Sequence, residues 1–239
     1  MRDLNGTVAA ITGASAGIGA ATARALVAEG ASVVLGARRK DRLTEIAAEL
    51  GSQVAVVEMD VREPDDSKRL IDQAFESFGR LDAIVVNAGV GMYGGIMDQT
   101  DDQILAMIDT NVAGTIWPIR AAVPRFREAG GGDIVIVASV AGLRGEGFEA
   151  VYAATKHAQV GLAGGMDREL RAENIRVSMI APGGVATEFA MGTGRTPDMP
   201  GLADMMNSED IAAAIVTVLR QPSTMRTLLW SMRNIKEAD

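Results

Sequence analysis

The chain has 239 residues, 23 basic and 31 acidic, for a formal net charge of −8. Its one dense basic run, Arg38-Arg39-Lys40, is too short for a nucleic-acid footprint, which needs a concentrated basic face. The lack of cysteine excludes disulfides, thiolate nucleophiles and cysteine metal sites, and the single histidine, His157, leaves too few ligands for a structural zinc.

The apolar runs are strand-sized, far short of the ~18 residues of a membrane span. The start, Met1 to Gly6, has no apolar stretch of signal-peptide length. These features lead us to expect a cytoplasmic protein, one domain over residues 1–239, with a small-molecule partner rather than a membrane or nucleic acid.

In chain order, Val8 to Thr12 reads as a strand and Gly17 to Glu29 as a helix stopped by Gly30. Ser32 to Ala37 is a second strand, and Arg39 to Leu50 a helix stopped by Gly51. Val54 to Val57 is a third strand. Glu63-Pro64-Asp65-Asp66 opens a helix that ends near Phe78-Gly79, since proline suits a first turn and acids there suit the dipole. Ala83 to Val86 is the fourth strand, followed by a long helical region from Asp101 to Ala129. Ile134 to Ala138, the helix Ala150 to Arg171, Arg176 to Ile180, the helix Ser208 to Arg220 and a last strand Thr227 to Leu229 complete the pattern.

The strands are continuous apolar runs without polar alternation, which indicates burial on both faces of a parallel sheet. Strand–helix alternation implies right-handed crossovers and a doubly wound sheet. The fold class is thus α/β, with about seven strands and helices on both faces. One long irregular segment, Phe189 to Asn207, has the length and the Gly, Pro and Met content of a functional lid.

The first strand runs into Thr12-Gly13-Ala14-Ser15-Ala16-Gly17-Ile18-Gly19. A glycine-rich turn leading into a helix offers backbone N–H groups to a pyrophosphate. The same stretch matches a nucleophile elbow, which would make Ser15 a hydrolase nucleophile with His157 as base. That reading fits poorly with a serine on the first strand. The second strand ends at Ala37-Arg38-Arg39-Lys40, where NAD-binding sheets carry an acid for the ribose 2′-hydroxyl. Arginines there accept a 2′-phosphate instead, so NADP (NADPH) is the expected cofactor. Tyr152 and Lys156 lie four residues apart on a predicted helix and share one face. A nearby ammonium favours the tyrosinate and suits Tyr152 to acid–base work. Ser139, ending the fifth strand, is placed to hydrogen-bond a substrate oxygen.

Taken in order, the Thr12-to-Gly19 turn, Asp60-Val61, Asn87-Ala88-Gly89, Asn111, Ser139, Tyr152-x-x-x-Lys156 and Pro182-Gly183 with Thr187 resemble the short-chain dehydrogenase/reductase family over about Gly6 to Trp230. The resemblance implies a single Rossmann-type domain and hydride transfer between nicotinamide and a carbonyl or alcohol. It makes Asn111, Ser139, Tyr152 and Lys156 a catalytic tetrad. Tyr152 moves the proton, Ser139 orients the substrate oxygen, Lys156 binds the nicotinamide ribose, and Asn111 holds a water in a proton relay. Gly13, Ser15, Gly17, Ile18 and Gly19 form the pyrophosphate turn. Arg38 and Arg39 read the 2′-phosphate, Asp60 and Val61 the adenine, and Asn87, Ala88 and Gly89 the adenosine ribose region. Pro182, Gly183, Val185 and Thr187 lie by the nicotinamide. A homotetramer is implied too, and the ending Leu228-Leu229-Trp230 resembles the hydroxy-acid and aldehyde reductase branch. A dinucleotide-sensing regulator without turnover is the alternative, but such a protein is expected to lose the tyrosine or lysine, and both are present.

The expected substrate walls are Val90 to Gly95, Val140 to Glu149 and the lid, 188–207. The lid methionines Met191, Met199, Met205 and Met206 suggest an adaptable apolar pocket. Arg144 or Arg195 is placed to hold a carboxylate, although Glu146 and Glu149 oppose a strongly anionic site. No metal site is expected.

Overall fold

The computed structural model describes residues 1–236, so residues 237–239 of the expected domain lie outside the described residues. Its frame is one parallel sheet of seven strands in the order β3-β2-β1-β4-β5-β6-β7. The strands are β1 (Val8–Thr12), β2 (Ser32–Ala37), β3 (Val54–Glu58), β4 (Ala83–Val86), β5 (Gly132–Val137), β6 (Ile175–Pro182) and β7 (Leu229–Met232). The helices are α1 (Gly17–Ala28), α2 (Lys40–Leu50), α3 (Pro64–Phe78), α4 (Asp101–Ile108), α5 (Gly114–Ala129), α6 (Ala150–Leu170) and α7 (Ser208–Leu219).

Successive side chains on a strand point to opposite faces, and here both faces are dry. Ala9 and Ile11 of β1 join Val33 and Leu35 of β2 under Leu26 of α1, Leu43 of α2 and Ile211 and Ile215 of α7. Val8 and Ala10 point the other way, with Val34 and Ile84, against Leu70 and Ile71 of α3 and Phe126 of α5. This is the two-sided burial that the uninterrupted apolar runs demanded. Pro64 begins α3 with Asp65 and Asp66 in its first turn, and Gly79 closes it in the left-handed conformation.

Two expectations need correction. The helical region Asp101 to Ala129 is two α-helices joined by a π-helical turn, Asp109–Ala113, with Asn111 fully buried inside it. The last strand begins at Leu229 rather than Thr227, paired from Met179↔Leu229 to Pro182↔Met232. Arg226 is tied to Asp167 and Thr227 exchanges hydrogen bonds with Gln221, so those two residues are anchored outside the ladder.

The chain leaves β3 at one side of the sheet and returns at β4 beside β1. The loops after β1 and β4 therefore diverge and leave a crevice at the carboxyl ends of the strands. The Thr12 hydroxyl laces the two ends, accepting from the amides of Asn87 at 3.1 Å and Ala88 at 3.2 Å. In return Asn87 Nδ2 donates to the carbonyls of Thr12 and Gly13 at 3.1 and 3.2 Å.

Candidate active site

That crevice opens into a cavity of about 750 Å³. Gly13, Ser15, Gly17 and Ile18 line it from the first turn, and Arg38 and Arg39 from the end of β2. Asp60 and Val61 follow from β3, Asn87, Ala88 and Gly89 from β4, and Pro182, Gly183, Val185 and Thr187 from β6. The glycines act by space. A Cβ at Gly19, behind the lining, would sit 2.5 Å from Gly13 O, and one at Gly13, where φ is +66°, would sit 2.8 Å from Ala88 Cα.

The residues present fit a dinucleotide phosphate. No side chain caps the amides at the start of α1, and its first turn holds no acid to compete for them. Free N–H groups at a helix N-terminus bind anions. Both carboxylate oxygens of Asp60 are engaged by Arg62, the shorter contact being 2.6 Å. Arg38 lies close enough to Asp60 to help hold its carboxyl below the usual range, after the larger effect of Arg62. Arg39 is tethered, donating to Ser15 Oγ at 3.2 Å and to Glu188 Oε2 at 2.7 Å.

Ser139, Tyr152 and Lys156 converge on the other end of the cavity. Ser139 lies close enough to the Tyr152 hydroxyl to favour the ionised phenol. Its ring lies between Tyr93, with centroids 5.6 Å apart, and Phe189 at 5.7 Å. Lys156 Nζ stands 5.8 Å from the centre of the Tyr152 ring. Both residues are buried, at 5% and 4% exposure. Burial dominates their protonation: it raises the Tyr152 phenol, helped by Tyr93 and opposed by Ser139, and lowers the Lys156 ammonium to about 7. The expectation that the ammonium depresses the tyrosine is therefore corrected: desolvation is the largest influence on the phenol and raises it.

Asn111 does not form the cavity wall. It clamps the backbone of Val90, accepting from the amide and donating to the carbonyl at 2.8 Å each, and reaches Thr155 Oγ1 at 3.0 Å. The Asn111 carbonyl accepts from Thr115 Oγ1 at 2.7 Å and Gln159 Nε2 at 2.9 Å. Gln159, Thr115 and Thr155 had no motif to announce them. The polar residue at 159 on an otherwise buried helical face was the available signal.

Tyr93 and Phe189 fall in the expected walls but were not singled out. The four lid methionines are not among the lining residues. Met206 packs into the core and Met205 packs beside Gly184, so aromatics shape this end of the cavity instead. Arg144 is 3.3 Å from Glu146, an exposed pair, while Arg195 lies 5.7 Å over the Phe189 ring. The Ser15 hydroxyl meets Arg39, and exposed His157 bonds the Ala153 carbonyl through Nδ1, so no serine–histidine pair exists. Among the described residues no cluster of acids and histidine could hold a metal, and no helix is long and apolar enough to cross a membrane.

A parallel sheet with this cavity at its switch point is a Rossmann-type nucleotide-binding arrangement, and comparison with known proteins gives the family. The family model for short chain dehydrogenases matches residues 7–198, so the chain belongs to that family. An uncharacterized oxidoreductase of Staphylococcus epidermidis is 36% identical over 216 residues, covering 90% of this chain and 92% of that protein. An alcohol dehydrogenase of the archaeon Thermococcus sibiricus, solved with 5-hydroxy-NADP, superposes with a TM-score of 0.88 at 30% identity, covering 98% of both chains. A 3-ketoacyl-(acyl-carrier-protein) reductase of Brucella melitensis, solved with NADH, gives 0.87 at 28% identity, covering 96% of both.

Proposed function

We propose that this short-chain dehydrogenase is an NADP-dependent oxidoreductase acting on a carbonyl or alcohol, with Tyr152 as its general acid–base. The observation that carries this reading is the convergence of Ser139, Tyr152 and Lys156 on the cavity that also receives the glycine turn and Arg38. When bound, the nicotinamide cofactor supplies or takes up the hydride at the substrate carbon. Ser139 orients the substrate oxygen, and Tyr152 gives that oxygen a proton in reduction and takes one in oxidation. Lys156 holds the cofactor's ribose. The rings of Tyr93 and Phe189 exclude water around the phenol. Arg38 takes the 2′-phosphate, with Arg39 exchanging Glu188 to assist. Asp60 and Val61 face the adenine, Asn87 to Gly89 the adenosine ribose, and Pro182 to Thr187 the nicotinamide. The segment 188–207 serves as the substrate lid, and Arg195 is the cation placed to receive an anionic group on the substrate. The protein works as a cytoplasmic homotetramer.

The test is Tyr152→Phe, assayed by reduced-cofactor absorbance over a panel of aldehydes, ketones and hydroxy acids. Turnover should fall by ~10²-fold or more, the usual worth of a positioned acid–base group, while cofactor affinity stays near wild type. Retention of a tenth of the activity would remove Tyr152 from the proton-transfer role.

A further inference from the structure

We propose that Gln159 is a positioning residue for Lys156, its amide bridging the lysine and the Asn111 carbonyl. The proposal rests on the reading of Tyr152 and Lys156 as the working pair. Gln159 is 1% exposed and follows Lys156 by three residues on α6, so the two share a face. Lys156 Nζ donates to Gln159 Oε1 at 3.0 Å and to the Val137 carbonyl at 3.3 Å. Gln159 Nε2 donates to the Asn111 carbonyl at 2.9 Å and to Thr115 Oγ1 at 2.8 Å.

The amide has only one workable orientation. The Asn111 carbonyl can only accept, so it must meet Nε2, which turns Oε1 toward Nζ whatever the charge of the lysine. Both Nε2 protons are then used. The two lone pairs of Asn111 O are filled by Gln159 and the Thr115 hydroxyl.

This arrangement separates two roles that a water would combine. A hydroxyl or water reorients and both accepts and donates at one atom, whereas an amide accepts at oxygen and donates at nitrogen. Gln159 therefore fixes Lys156 against Val137 without passing its proton to Asn111. The Gln159 acceptor also favours the charged form of a lysine that burial discharges. The titratable and charged groups around the pair are Tyr152 and Glu149 at the start of α6, Tyr93 after β4 and Arg195 after β6, all kept in the variants below.

Two substitutions test the link. Gln159→Met keeps the bulk and removes the acceptor. Gln159→Glu puts an anionic acceptor beside Nζ. In the cofactor-free protein, melting temperature is followed from pH 5 to 10. Stability starts to rise where folded-state Lys156 discharges. That onset should move up by about one pH unit or more in Gln159→Glu and down in Gln159→Met. In a Lys156→Met background the alkaline rise should be lost with or without Gln159→Glu, whose buried carboxyl adds only a separate change at lower pH. The alkaline limb of kcat, where a charged Lys156 is lost, should shift in the same directions. Onset and limb unchanged in both variants, whatever the loss of activity or stability, would reduce Gln159 to packing and overturn the proposal. Should Gln159→Met not fold, Gln159→Glu alone decides. Because the melting experiment needs no turnover, a Tyr152→Phe enzyme that remains active would refute the catalytic reading without touching this result.

Discussion

Replacing Arg38 probes cofactor choice most directly. Arg38 is exposed at the carboxyl end of β2 and lines the cavity, and its acidic neighbour Asp60 is engaged on both oxygens by Arg62. A charged hydrogen bond contributes ~1.5–3 kcal/mol net, and each 1.4 kcal/mol is about tenfold in affinity. Arg38→Ala should therefore weaken NADP by roughly ten- to a hundredfold and leave NAD nearly unchanged. Arg39→Ala should cost less, because Arg39 must first give up an exposed pair with Glu188, and such a pair is worth ~0–1 kcal/mol. Ala37 is 8% exposed and also lines the cavity. Ala37→Asp places a carboxylate there that repels a phosphate and accepts from a 2′-hydroxyl, so Ala37→Asp with Arg38→Ala should invert the preference. The measurements are kcat/KM with each cofactor and Kd from titration of reduced-cofactor fluorescence. Equal use of NAD and NADP by the wild type, or an unchanged ratio in the double variant, would refute the assignment of this strand end.

Further outcomes follow from the same site. Lys156 titrates near 7 when folded but near 10.5 when unfolded, so between these values the unfolded chain binds more protons and stability rises with pH, by about 1.4 kcal/mol per unit from this group. Tyr152, raised by burial, opposes that trend only above the ordinary tyrosine value of ~10. Urea midpoints from pH 7 to 10 should flatten in Lys156→Met, and equal slopes in the two proteins would contradict a discharged lysine. Residues 189–207, with Gly192, Gly194 and Gly201 at positive φ, should exchange amide hydrogens fastest and slow on ligand binding; slow exchange that ligand leaves alone would rule out a lid. Edge strand β7 exposes Leu229 and Trp230, and an uncovered apolar edge invites pairing. Light scattering should give a tetramer, and a 25.0 kDa monomer at micromolar concentration would count against it.

The framework was legible because its signals are local. Two-sided burial writes itself as unbroken apolar runs, and Gly30, Gly51, Gly79 and Pro64 punctuate the helices between them. Tyr152, Lys156 and Ser139 could be found because a helical period and a strand end place them. What escaped depends on partners distant in sequence. No local pattern says that residue 159 meets residue 111, or that Glu188 reaches back to Arg39. The π-helical turn is similar: Asn111 sits in a helix-period sequence, and only its bonds to Val90 and Thr155 explain why the turn is held open. For the lid methionines the residue type leaves pocket and core open alike, and only the fold shows that Met206 packs into the core.

The charge states of Tyr152 and Lys156 explain why the lysine is held by neutral groups. Burial withholds charge from both members, so near and above pH 7 the pair tends toward a phenol beside an uncharged amine. A carboxylate placed against Nζ would fix the ammonium, since an opposite charge within a few ångströms favours the charged form. The structure instead gives Nζ a carbonyl and an amide oxygen. Neutral acceptors hold the position of Nζ while leaving its proton in balance. Lys156 also lines the cavity, so acceptors that reach Nζ there would add to the preference for the charged form. That charge in turn favours the tyrosinate next to it. Position is thus built into the fold through Val137 and Gln159, while the charge that the proposed acid–base role of Tyr152 calls for depends on the acceptors that reach Lys156.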